Sequence, residues 1–136
     1  MAKAACVGTV LLAGGQVAAE WKERLGAAGK NAEEISALVS RASEKHGDMG
    51  RRAAAFLVRG MPDYDLKVLK SDFLMENVDL AIKARTEFPW GKDLPEKVFF
   101  NDVLPYASLD ETREAWRARF YEQCRGLVKD CRTTTQ

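Results

Sequence analysis

Histidine is nearly absent, with His46 the only one in 136 residues. Cysteine catalysis needs a thiol, an imidazole base and usually a third group to orient the base. His46 falls at the end of a predicted helix, far in sequence from Cys124 and Cys131. It reads as a solvent-facing residue near a helix C-terminus, where partial positive charge is favourable. Zinc sites take three or four ligands from Cys, His and carboxylate side chains, and no Cys-x-x-Cys or His-x-x-x-His pair occurs. No metal is expected. Glycine-rich phosphate motifs are missing too, since Gly14-Gly15 is not followed by Lys-Ser or Lys-Thr. No cofactor is expected either. Carboxylates are plentiful, including Asp63, Asp65, Glu76, Asp79, Glu87 and Asp110. Two of them meeting in a cleft could act as acid and base, but a charged residue on a helix is ordinarily a solvated face. No catalytic residue is assigned.

An excess of charge of one sign is also lacking. Lys plus Arg number 21 against 20 Asp plus Glu, a formal charge of +1. Without a net positive field or a basic run interleaved with aromatics, a nucleic-acid partner is not expected. What remains is an ordinary globular balance, 46% hydrophobic and 30% charged, on a chain of single-domain length.

The first nineteen residues differ from the rest. Lys3 is their only charge, Ala4 to Ala13 is small and apolar, and Val17 and Ala19 suit the −3 and −1 sites of a signal peptidase. Residues 1–19 therefore read as a signal peptide and 20–136 as a single helical domain. The stretch is too short for a transmembrane segment. The expected location is secreted or periplasmic, or cytoplasmic if this segment is a small-residue helix instead. Cys124 and Cys131 lie seven positions apart in a helical segment, about 10 Å along its axis. That is too far for a disulfide within a straight helix, so both read as small core residues.

The remaining pattern is helical. Asn31 with Glu34 opens a helix on which Ile35, Leu38, Val39 and Ala42 share a face, and Gly47 ends it. Asp48 opens a second, through Ala53, Phe56 and Leu57, stopped by Gly60 and Pro62. Ser71 caps a third, carrying Leu74, Val78, Ala81, Ile82 and Arg85 and closed by Pro89. Phe88-Pro89-Trp90-Gly91-Lys92 cannot continue a helix, and a short one follows from Pro95 to Pro105 with Val98, Phe99 and Val103. Ser108 and Glu111 form a capping box for the last helix. On it Trp116, Phe120, Cys124, Leu127 and Cys131 recur at spacings of four, four, three and four, a narrow stripe that must bury against something. No segment alternates as a half-buried strand does. The expected fold is all-α, about six helices in an irregular bundle with a Pro/Trp/Gly-rich loop region in the middle.

Several rare residues recur at characteristic spacing. Glu76-Asn77-Val78, Ala84-Arg85, Phe88-Pro89-Trp90-Gly91-Lys92, Leu94-Pro95-Glu96 and Leu104-Pro105-Tyr106, followed by Glu111, Trp116, Arg117 and Phe120, resemble a helical region of bacterial transglutaminase-like proteins. The resemblance covers about residues 50 to 130. In that family the region precedes a papain-like catalytic domain with a Cys nucleophile, a His and an Asp, and none of that motif occurs in this chain. What the resemblance implies is a non-catalytic N-terminal accessory domain that packs beside such a catalytic domain or helps substrate reach it. A free-standing secreted protein-binding domain is the other reading. The residues expected to face a partner are Trp90, Lys92, Tyr106 and Trp116. That partner would be the catalytic domain of the same parent protein or a protein substrate, with a homodimer allowed for the isolated domain.

Overall fold

The computed structural model describes residues 17–107 and 111–133. Residues 1–16 of the stretch read as a signal peptide, and Ser108 of the capping box, lie outside the described residues. The expected boundary after Ala19 falls inside the first helix, α1 (Val17–Glu23). Four longer or comparable helices follow: α2 (Ala32–Gly60), α3 (Asp63–Val68), α4 (Ser71–Glu87) and α5 (Trp116–Val128). Among the described residues there is no strand, and the helices number five rather than six. The two helices expected over 31–46 and 48–60 are one element, bent at Gly47, whose φ of 61° and ψ of −141° only glycine adopts readily. The bend brings Gly50 so close to the preceding turn that a Cβ there would stand 2.0 Å from the Ala42 carbonyl oxygen.

The α2–α4 contact forms the centre of the core. Ile35, Leu38, Val39 and Ala42 on the first half of α2, and Ala53 and Leu57 on the second, are buried as their spacing predicts. Leu74, Val78, Ala81 and Ile82 of α4 close against them. Beyond α4 the chain is not an open loop but a succession of tight helical turns: a 3-10 turn over Pro89–Asp93, an α turn over Glu96–Val98 and a π turn over Phe99–Val103. These turns deliver Phe99 and Leu104 to the core with no exposed surface.

The polar signals act differently from their sequence reading. Asn31 does not cap α2. It is buried, and its Nδ2 donates to the carbonyls of Leu66 and Leu69 at 2.8 Å each, tying the end of α3 to the start of α2. Glu34 spans to α4, where its carboxylate accepts from the backbone N–H of Ser71 at 2.9 Å and from its hydroxyl at 2.8 Å. The N-terminal cap of α4 is thus supplied by α2, because a carboxylate meets orphan amides better than a neutral hydroxyl does. The capping box is also overruled. Residues 111–115 are not helical and α5 begins only at Trp116. Arg113 reaches back to the buried carboxylate of Asp65, with Nε and Nη2 at 2.9–3.1 Å, which holds this stretch away from a helical path.

Candidate docking surface

Helix α5 sits on the body with its polar side inward. Tyr121 is its only buried residue. The Tyr121 hydroxyl donates to Glu87, and Lys83 Nζ stands 4.6 Å over its ring. Burial, with that bond second, pushes the Tyr121 phenol up to about 12. The same bond is the main reason the Glu87 carboxyl lies below its ordinary range, and Arg125, at 3.1 Å, adds to it.

Nearer the N-terminus of α5, Arg117 takes the place of a hydrophobic anchor. Its Nε donates to Oδ1 of Asn77 at 3.1 Å, Nη1 to the Val103 carbonyl at 2.8 Å, and Nη2 to the carbonyls of Leu104 and Pro105 at 3.3 and 2.6 Å. Those carbonyls end the π turn, where a cation is favoured by the local dipole. Among the described residues no carboxylate shares the site, and burial lowers the guanidinium to about 10. Trp116 completes the attachment by donating its indole N–H to the Tyr106 carbonyl at 2.8 Å.

With the polar side committed inward, the stripe of apolar residues faces out. Trp116 and Cys131 are half-buried, Cys124 is exposed, and Phe120 and Leu127 are 47% and 80% exposed. Trp116 and Phe120 meet edge to face with centroids 5.7 Å apart. The cysteines are therefore surface thiols and not the core residues their spacing suggested. The stripe holds as a pattern only as far as Leu127, since α5 ends at Val128 before Cys131, and Arg117, Tyr121 and Arg125 take the side toward the body because their partners are Asn77, Glu87 and the carbonyls of Val103 to Pro105.

The four residues expected at a partner surface are not one cluster. Tyr106 is buried, and its hydroxyl donates to Asp65 at 2.7 Å; burial and that bond raise it well above its ordinary range. It is a core corner residue. Trp90 stacks on buried Phe88 with centroids 5.5 Å apart, its indole N–H buried without a partner among the described residues. Lys92 is exposed at the end of that turn. Only Trp116 belongs to the outward edge of α5. Phe120 and Leu127 were legible from the stripe spacing, whereas nothing in the sequence marks Arg117 as the anchor.

Two clefts carry the remaining candidate chemistry. One, of 330 Å³, lies beside Tyr106 between Phe56, Gly60, Pro62 and Arg113. Among the described residues its one charged side chain is Arg113, already held by Asp65. The other, of 310 Å³, contains His46 and Asp79, with Nε2 2.6 Å from the carboxylate, beside Lys45 and Lys83. His46 is therefore half-buried and paired rather than solvent-facing. The one hydroxyl lining that cleft, Thr86, donates to its own helix at Ile82, 3.0 Å away. Cys124 is not among the residues lining it. Among the described residues no three His, Cys, Asp or Glu side chains are grouped to hold a metal. No helix among them is long and apolar enough to cross a membrane.

Comparison with protein-family models, with curated proteins and with solved structures finds no match.

Proposed function

We propose that this chain is a non-catalytic docking domain and that the outward edge of α5 is its contact surface. The observation that carries the reading is the inversion of α5. A surface helix ordinarily buries its apolar stripe and exposes its polar side, whereas this one anchors through Arg117, Tyr121 and Arg125 and leaves Phe120 and Leu127 outside. An apolar stripe rimmed by polar residues marks a protein interface.

The partner that fits the sequence resemblance is a papain-like catalytic domain of a bacterial transglutaminase-like protein, secreted or periplasmic, with this chain as its N-terminal accessory domain. The edge of α5 would pack on that domain or on a protein substrate held beside it. Thiol protection tests the reading, because Cys124 lies on the edge. Its alkylation rate is expected to fall at least tenfold when the proposed partner, a transglutaminase-like catalytic domain, is added. An unchanged rate contradicts the proposed contact. A reading frame that stops at Gln136 removes the accessory role and leaves a free-standing protein-binding domain using the same edge.

A further inference from the structure

Asp65 is the only acid buried among the described residues, at 1% exposure. Its cation comes from outside the helical body, from Arg113 in the non-helical stretch 111–115. Nε and Nη2 of Arg113 donate to the carboxylate at 2.9–3.1 Å, and the Tyr106 hydroxyl adds a bond at 2.7 Å. The two side chains that reach Asp65 both line the 330 Å³ cleft, whose remaining walls are mainly apolar, with Phe56, Leu57, Pro62 and Pro105 among them. A carboxylate and a phenol at the inner end of an apolar cleft suit a guanidinium carried on an apolar body. We propose that Arg113 is a displaceable internal ligand, and that this cleft is a binding site for a small organic guanidinium with a flat apolar body. The site is independent of the α5 edge.

Exchange makes the displacement feasible. A buried carboxylate left without a cation is strongly unfavourable, so Arg113 leaves only as another cation arrives. Moving 111–115 need not unseat α5, because Trp116 on one side is tied to Tyr106 on the other by an indole N–H bond to the Tyr106 carbonyl at 2.8 Å. Glu111, Thr112, Glu114 and Ala115 are all exposed. The guest reproduces the forked contact with Asp65, which an ammonium lacks, and its body covers the apolar walls.

Titration of the full chain with phenylguanidinium tests the site. Tethered Arg113 competes at an effective concentration on the order of millimolar, so Arg113→Ala is expected to bind the guest roughly tenfold or more tighter than wild type. Phenylurea, the neutral isostere, and benzylammonium, which has no fork, are each expected to bind Arg113→Ala at least tenfold more weakly than phenylguanidinium. In wild type, the Arg113 Nε–H resonance should move to the position of a solvent-exposed arginine as the guest saturates. Should Arg113→Ala fail to fold alone, phenylguanidinium is expected to restore its near-ultraviolet circular dichroism. Equal affinity of the two chains, no binding to either, or phenylurea binding as well as phenylguanidinium would each overturn the proposal. So would an Arg113 resonance that stays in place at saturation, or an unfolded Arg113→Ala chain that the guest does not rescue.

Discussion

Arg117 Nε donates to Asn77 Oδ1 at 3.1 Å, joining α5 to α4 across 40 positions of sequence. Asn77 is itself buried and donates from Nδ2 to the Phe73 carbonyl, so its oxygen is oriented for the guanidinium. The planar fork of Arg117 then serves Asn77 and three successive carbonyls at once. An ammonium cannot match that geometry. Arg117→Lys is expected to cost about 1–3 kcal/mol, the penalty of leaving buried acceptors unmatched. Urea unfolding measures it, and a stability equal to wild type would show that α5 is held by something else.

The bend in α2 has a test of its own. A methyl group at position 50 would overlap the Ala42 carbonyl, 2.0 Å from its oxygen, and would also meet the His46 Cβ at 2.7 Å. Gly50→Ala is expected to destabilise by about 1–3 kcal/mol through overpacking. Gly60, at the end of the same helix, has nothing within 4 Å of such a methyl. There Gly60→Ala should gain up to about 1 kcal/mol by restricting the unfolded chain. Thermal melting of both variants checks the pair, and equal effects would contradict the close approach at the bend.

Acid stability should depend on Glu34. The Ser71 backbone N–H, then its hydroxyl, hold this carboxyl below its ordinary 4.5. A carboxylate with a depressed folded value contributes stability that is present above the unfolded value and lost as pH falls through the folded one. Glu87 and Glu96 are lowered too, the first chiefly by Tyr121 and the second by Arg52. Stability should therefore decline once pH drops below about 4.5, and Glu34→Gln should make that decline shallower. Denaturant unfolding followed from about pH 6 to about pH 2 shows it. A variant with the same slope as wild type would remove Glu34 from the linkage.

Apolar periodicity located the core because it depends only on helical geometry. Ile35, Leu38 and Ala42, or Leu74, Val78 and Ala81, share a face wherever the helix lies. Helix ends were less legible. Asn31, Ser71 and Glu111 all carry capping chemistry, yet Asn31 spends its amide on α3, Ser71 receives Glu34 from another helix, and Arg113 is drawn to Asp65 across 48 positions. Such long-range polar contacts have no local signature. The candidate surface divides the same way. The stripe on α5 was visible in the sequence, but which way it faces depended on three carbonyls and Glu87, whose positions follow only from the folded chain.

The outward edge of α5 is tested most directly by replacing Phe120 and Leu127 with aspartate. Burying these side chains in an interface would contribute roughly 3 kcal/mol, about a hundredfold in affinity. Titration of the Phe120→Asp/Leu127→Asp chain with a transglutaminase-like catalytic domain, the partner proposed for this edge, alongside its melting curve, is the measurement. The account predicts affinity lower by about a hundredfold with melting within a few degrees of wild type. Unchanged affinity, or a collapse of melting, would contradict it, since the edge would then be either idle or part of the chain's own core.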